Sequence, residues 1–91
     1  MSQTYWIFPE RSMVLANGYR ICVKRDVHGC VGVGCKEFKT EREFRAELIR
    51  LGENDRSAHD IASAVDRGES VQPLPRDLED DVAASYNLPP A

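Results

Sequence analysis

The sequence predicts an α+β domain in which an antiparallel sheet of three or four strands carries two helices on one face, followed by a C-terminal helical arm. Two patterns lead to this prediction: a strict alternation of side-chain character begins at Tyr19, and a helix-capping motif begins at Thr40. The 91 residues are 42% hydrophobic and 30% charged, which is an ordinary globular composition. We expect a folded unit over residues 1–68, and a proline-containing linker with an acidic arm over residues 69–91.

The first strand is predicted at residues 4–8, where aromatic and β-branched residues are concentrated. We expect Pro9 to end this strand, because proline has no N–H to donate to a neighbouring strand. The dipeptide Asn17-Gly18 then predicts a tight type I′ hairpin turn, in which both central residues have a positive φ.

The next two strands are predicted from alternation. Tyr19, Ile21 and Val23 are expected to face the core, and the residues between them form a mixed, basic face. A following strand, ending before Lys39, alternates valines with glycines and cysteines, and its glycines favour either an open face or the close approach of another backbone. The predicted core consists of Ile21, Val23, Val31, Val33, Phe38, Phe44, Leu48, Leu51, Ile61 and Val65.

Two helices are predicted after the sheet. Thr40 and Glu43 have the spacing of a capping box, an apolar stripe with a helical period follows, and Gly52 marks the end. For the second helix, Ser57 is the predicted N-cap, and Gly68 ends a stripe of small apolar residues.

The last segment is predicted to begin as an extended linker, because Pro73 and Pro75 restrict the backbone. Asp77 is the predicted cap of a third helix that ends near Asn87, and acidic side chains suit the N-terminus of a helix. These acidic residues are Glu79, Asp80 and Asp81. Three alternatives stay open for the arm: it packs on the domain, binds a partner or is partly disordered.

No motif for catalysis, metal or phosphate is recognised. The three cysteines, Cys22, Cys30 and Cys35, are predicted to be buried or half-buried free thiols, because an odd number without a secretory signal argues against disulfides. A zinc site made of these cysteines and His28 is disfavoured, since the chain lacks a CxxC pair. No nucleophile is placed by a recognisable motif near His28 or His59. We therefore expect no cofactor, no metal and no enzymatic activity.

Charge and hydropathy set the expected compartment and partners. The first 50 residues carry a net charge of +3 and the remainder carry −6, which gives −3 overall. No apolar run approaches the roughly 20 residues that span a bilayer, and the N-terminus lacks the pattern of a signal peptide. The sequence thus predicts a cytoplasmic protein without membrane contact.

A nucleic-acid interface is one alternative, with Arg20, Lys24 and Lys36 as the candidate binding residues on the mixed sheet face. The pattern GYRICVKR…EFKTEREFRAEL resembles the small DNA-binding sheet–helix domains at the start of some phage integrases. The resemblance implies that Arg20 and Lys24 would enter a groove. The negative net charge disfavours direct nucleic-acid binding.

A protein partner is the leading prediction, since exposed Tyr and Trp side chains are favoured at interfaces. Candidate contacts are Tyr5, Trp6, Phe8, Tyr19 and the acidic arm. Residues 13–67, with the NG turn before Tyr19, KEFKTEREF and AHDIASAV, are similar to one group of phage-borne anti-CRISPR proteins. This resemblance implies a non-enzymatic inhibitor that docks on a type I CRISPR surveillance complex, with Tyr5, Tyr19 and Glu37 as contacts. A small regulatory subunit and a homodimer remain open alternatives.

Overall fold

The computed structural model describes residues 3–27 and 29–88 of the chain. Its elements are β1 (Thr4–Arg11), β2 (Tyr19–Val27), β3 (Cys30–Phe38), α1 (Glu41–Arg50), α2 (Asp55–Asp66), β4 (Leu74–Asp77) and α3 (Asp80–Ala84). The four strands form one sheet in the order β3-β2-β1-β4, and every neighbouring pair is antiparallel. The predicted α+β class is confirmed.

Strand β1 is longer than predicted, because it continues through Pro9 to Arg11. β4 pairs only with the Thr4–Ile7 part of β1. After Ile7, β1 therefore has a neighbouring strand, β2, on one side and none on the other. Pro9 lies in this part of β1, where a missing N–H on the side without a neighbour removes no hydrogen bond between strands. The prediction that Pro9 ends the strand is therefore wrong.

The loop between β1 and β2 is wider than the predicted two-residue turn. The Gly18 N–H donates to the Leu15 carbonyl at 2.7 Å, and neither Asn17 nor Gly18 has a positive φ, so the predicted type I′ turn is wrong. Ser12 provides the physical reason. Its hydroxyl accepts a 3.0 Å hydrogen bond from the Leu15 N–H and donates to the Glu37 carboxylate, which organises the whole loop.

The helix ends follow the local signals closely. The Thr40 hydroxyl accepts from the Glu43 N–H at 3.2 Å, as predicted, and Gly52 follows α1 with a φ of 115°. α2 begins earlier than predicted, because Asn54 and not Ser57 is its N-cap. Ser57 instead occupies the third position of the capping box, where its hydroxyl accepts from the Asn54 N–H.

The core lies between the sheet and the helices, where the Tyr19 and Phe44 rings stack at 4.6 Å between centroids. The prediction that Val31 and Val33 belong to it is wrong, because they are 52% and 58% exposed. The register pairs buried Val23 with Gly34, so the even-numbered residues of β3 face the helices. The buried apolar residues are Tyr5, Ile7, Tyr19, Ile21, Val23, Phe44, Leu48, Leu51, Ala58, Ile61, Ala62, Val65, Ala83, Tyr86 and Leu88.

The C-terminal segment packs on the folded domain, which is one of the alternatives predicted for it, but its elements differ from the predicted linker and helix. β4 lies in the sheet and ends at Asp77, which therefore does not cap a helix. α3 begins after Glu79 and spans only five residues. Tyr86 and Leu88 are buried in the core, and Asn87 between them has a left-handed φ of 59°.

Tyr86 joins this segment to α1 and β3 through buried polar contacts. Its hydroxyl donates to the Glu47 carboxylate at 2.5 Å, and Arg50 donates to the same carboxylate at 2.7 Å. Lys36 lies 3.6 Å from Glu47 and 4.5 Å from the Tyr86 ring centroid. Burial acts to raise the pKa of Glu47, but the hydrogen bonds and these cations outweigh it and lower the pKa from 4.5 to about 2.

Candidate functional site

The three helices that the structure describes lie on one side of the sheet, and the opposite face has no covering element among the described residues. We call this the open sheet face. Its members form rows across the strands, one of which runs from Trp6 through Lys24 to Val33. Its members include Trp6, Phe8, Glu10, Arg20, Cys22, Lys24, Asp26, Val31, Val33, Cys35 and Glu37.

The middle of the open sheet face is apolar and exposed. Trp6 is 36% exposed, and it lies in the same row as Val33, which is more than half exposed, as is Val31. Phe8 is half-buried in the next row. A group of large apolar side chains on an uncovered sheet face is the kind of surface that proteins use to bind partners.

A disulfide crosses this face between β2 and β3. Cys22 and Cys35 are directly opposite each other, and their sulfurs are bonded. Cys30 is free and exposed. The prediction of buried or half-buried free thiols is therefore wrong for all three cysteines. The reason is the register, which places Cys22 and Cys35 side by side although no local pattern in the sequence reveals that pairing.

The charges on the open sheet face have both signs. The Arg20 guanidinium donates to the Glu10 carboxylate at 2.7 Å, so its charge is compensated within the chain. Lys24 is exposed beside Asp26. Lys36 was expected on this face but lies on the helix side, because it pairs with buried Ile21. The open sheet face therefore carries less uncompensated positive charge than the alternation predicts.

The predicted partner-binding residues divide between the two sides of the sheet. Trp6 and Glu37 lie on the open sheet face. Tyr5 and Tyr19 are buried against the helices, and the Tyr19 hydroxyl donates to Asp66 at 2.6 Å. Their burial contradicts the prediction that they contact a partner. The Tyr19 pKa rises to about 12 because of burial and this hydrogen bond.

The predicted acidic contacts lie elsewhere. Glu79, Asp80 and Asp81 are exposed at the start of α3. α3 leads directly to Tyr86, whose carbonyl lies against Gly34 on the helix side of the sheet. The acidic group and the open sheet face therefore belong to different sides of the molecule.

A shallow depression of about 270 Å³ lies on the open sheet face between Trp6, Phe8, Lys24 and Asp26. Two aromatic side chains form its apolar part, and an ammonium and a carboxylate border it. This combination suits one apolar or aromatic side chain of a protein ligand, with a polar group beside it.

Sequence reasoning missed Val31 and Val33 as surface residues. One signal was available in β3. Phe38 was assigned to the core, and the even-numbered residues that precede it on a strand must share its face. Applying this parity would have placed both valines outside.

Two further candidate features are a metal site and the two histidines. Within residues 3–27 and 29–88, no group of three or more potential metal ligands is found. His59 is exposed on α2, and the proposed zinc ligand His28 lies outside the described residues.

Among the described helices, none has the length and apolar character needed to cross a membrane. No protein-family model, curated protein or solved structure matches this chain.

Proposed function

We propose that this protein is a non-enzymatic protein-binding module that docks its partner on the open sheet face. One observation carries the proposal: Trp6, Val31 and Val33 form an exposed apolar surface on one side of a sheet whose other side is covered by helices. Covering these side chains would remove apolar area from water, which is the main favourable term in protein association.

The surroundings of the apolar surface favour a protein over a phosphate backbone as the ligand. Glu10 compensates Arg20, while Asp26 and Glu37 add further negative charge to the same face. A partner with an apolar side chain for the depression, and with charges of both signs around it, would match this arrangement.

The finer proposal is an inhibitor of nucleic-acid machinery, of the kind that blocks a type I CRISPR surveillance complex in a bacterial cytoplasm. Its support is the resemblance of residues 13–67 to anti-CRISPR proteins. The contact set is revised from the sequence-based one, because Trp6 and Glu37 are accessible whereas Tyr5 and Tyr19 are buried. Asp26 and Glu37, which are exposed on the open sheet face, would supply negative charge toward a basic channel.

Binding to a type I surveillance complex provides the direct test. Biolayer interferometry would compare the wild-type chain with Val33→Glu and Trp6→Ala, and Ile49→Glu is the matched control because Ile49 is exposed on α1. We expect binding that both face variants weaken by roughly tenfold or more and the control leaves unchanged. Equal affinity of all four proteins would exclude the open sheet face, and absence of binding would exclude this partner.

A DNA duplex titration distinguishes the protein-binding function from the alternative, which is DNA binding by the sheet. A sheet that inserts Arg20 and Lys24 into a groove would bind a duplex, with affinity falling steeply as salt rises. We expect no such binding, because Arg20 is already held by Glu10. Submicromolar, salt-dependent binding that Lys24→Ala abolishes would instead establish the nucleic-acid function.

The cytoplasmic location is testable through the cysteines. Disulfides are uncommon in a reducing cytosol, whereas Cys22 and Cys35 are bonded in the folded chain. Alkylation of the protein in freshly lysed cells, followed by mass spectrometry, would distinguish the two states. Modification of Cys30 alone means that the disulfide is present in the cell, and modification of all three cysteines means that it is reduced there.

A further inference from the structure

We infer that the free edge of β3 pairs antiparallel with the same edge of a second copy of this chain, which joins two four-stranded sheets into one. This inference does not depend on the proposed function, because it concerns the backbone of β3 and not the side chains that a partner would cover.

The backbone N–H and C=O groups of alternate β3 residues point away from β2. The Cα atoms of Cys22 and Cys35 are 4.1 Å apart. Directly opposed antiparallel residues lie about 4.5 Å apart when they do not exchange hydrogen bonds and about 5.5 Å apart when they do. Cys35 therefore directs its N–H and C=O away from β2. Because the direction of these groups alternates along a strand, the N–H and C=O of Val31, Val33 and Glu37 also point away from β2.

Pro9 supports this assignment from the other side of the sheet. Because Cys22 does not exchange hydrogen bonds with β3, its N–H and C=O point to β1, where they pair with Phe8. Hydrogen-bonded and non-hydrogen-bonded pairs alternate along the strands, so the next pair, Pro9 and Ile21, exchanges no hydrogen bonds. The backbone nitrogen of Pro9, which carries no hydrogen, then points to the β4 side of β1, at a position beyond the end of β4. The alternation thus places the proline where it costs no hydrogen bond.

In the part of the chain that the structure describes, the outward groups of β3 have no strand to pair with. β2 is the only strand that pairs with β3 in residues 3–27 and 29–88. No backbone hydrogen bond joins Val31, Val33, Cys35 or Glu37 to a turn or loop in that part of the chain. Within the described residues, these four consecutive outward positions have no backbone partner.

The edge from Cys30 to Cys35 lacks the features that prevent pairing, and the one charged residue among the four outward positions, Glu37, accepts a hydrogen bond from the Ser12 hydroxyl. Natural sheet edges are protected by prolines, by charged side chains or by bulges. The stretch from Cys30 to Cys35 contains neither a proline nor a charge, and its register with β2 is unbroken. Lys36 cannot protect the edge, because it is turned to the helix side and held by Glu47 and Tyr86.

A second copy fits this edge because antiparallel pairing makes it self-complementary. With the two-fold axis at Gly34, Val31 lies opposite Glu37 of the other copy and Val33 lies opposite Cys35, so all four outward residues find partners. The side chains near the axis are uncharged, and no like charges come to lie opposite each other. The exposed valines of the two copies become neighbours on one continuous open face.

Sedimentation velocity tests the association. We expect the sedimenting mass to rise from 10.3 kDa toward about twice that value as concentration increases. Each copy has a net charge of −3, so added salt should strengthen the association by screening repulsion. Val33→Lys, which places an ammonium at the edge, should raise the dissociation constant by at least roughly tenfold, whereas Val33→Thr and Ile49→Lys should not.

Amide hydrogen exchange by NMR identifies the mode of association. Edge pairing should slow the exchange of alternate amides, those of Val31, Val33, Cys35 and Glu37, at high concentration but not at low concentration. Two results would overturn the inference. One is a protein that stays monomeric to about 500 μM; the other is a dimer in which these four amides still exchange rapidly.

Discussion

The main-chain carbonyl of Tyr86 lies directly against the α-carbon of Gly34, so that a Cβ at residue 34 would overlap the Tyr86 carbonyl oxygen. Gly34 is in β3 and Tyr86 follows α3, so this contact joins an edge strand to the C-terminal segment. Two alternatives are predicted for the glycines of β3, an open face or the close approach of another backbone, and the second is found at this position. The absence of a side chain at residue 34 is what allows the C-terminal segment to reach the sheet.

Replacement of Gly34 by alanine should therefore destabilise the protein by about 2 kcal/mol or more, because a backbone group must move to admit the methyl group. Urea unfolding followed by circular dichroism would measure this change. Val33→Ala is the control, since Val33 is exposed in the adjacent position and should cost about 1 kcal/mol or less. Equal effects of the two substitutions would contradict the close packing of Tyr86 on Gly34.

Phe44→Ala should remove about 3–5 kcal/mol from the free energy of unfolding, because Phe44 is completely buried and stacks on Tyr19. Ile49→Ala on the same helix is the control, since Ile49 is 41% exposed and its loss should cost about 1 kcal/mol or less. Thermal or urea unfolding of both variants provides the comparison. A cost below about 1 kcal/mol for Phe44→Ala would refute the docking of α1 on the sheet.

The low pKa of Glu47 predicts a specific loss of stability in acid. The folded protein holds this pKa at about 2, compared with 4.5 for the ordinary group. Between these values the unfolded chain binds more protons, so stability falls as pH decreases from about 5 to about 2, by on the order of 3 kcal/mol from this group. Above about pH 5 its contribution is fully present.

Glu47→Gln should remove this part of the pH dependence, although the variant should be less stable at neutral pH because Arg50 and Tyr86 lose a charged acceptor. Unfolding in urea at several pH values would measure the slope. Glu43→Gln on the exposed side of α1 should leave the slope in place. An unchanged slope in Glu47→Gln would mean that another carboxylate causes the acid sensitivity.

The disulfide between Cys22 and Cys35 should stabilise the fold by about 3 kcal/mol, as estimated for a closed loop of this length, because the two residues are 13 apart in sequence. Unfolding of the Cys22→Ser/Cys35→Ser double variant would measure this contribution. Cys30→Ser is the control and should be nearly neutral, because Cys30 is free and exposed. If reductant destabilises the double variant as much as the wild-type protein, the stabilisation has another origin.

The parts of the fold that could be predicted from sequence are those set by neighbouring residues. The cap at Thr40 depends on residues three positions apart, and the end of α1 depends on the conformational freedom of Gly52. The alternation that starts at Tyr19 likewise reports a local property, the two-fold period of a strand. Each of these predictions is confirmed by the structure.

The parts that could not be predicted depend on pairing between distant segments. The exposure of Val33 and the Cys22–Cys35 disulfide both follow from the β2–β3 register, which a small change in turn length would shift. β4 has four residues and includes Pro75, so it has no local strand signal. Proline is tolerated there because β4 is an edge strand.

The strand order also has a consequence for biosynthesis. β1 is made first, yet one of its two neighbours is β4, and the pairing of Thr4 with Asp77 closes the sheet across most of the chain. Contacts between residues so far apart in sequence slow folding, because the loop must be closed before the pairing stabilises it. During translation, β1 can therefore acquire β2 early, but it waits for its second neighbour until residues 74–77 have left the ribosome.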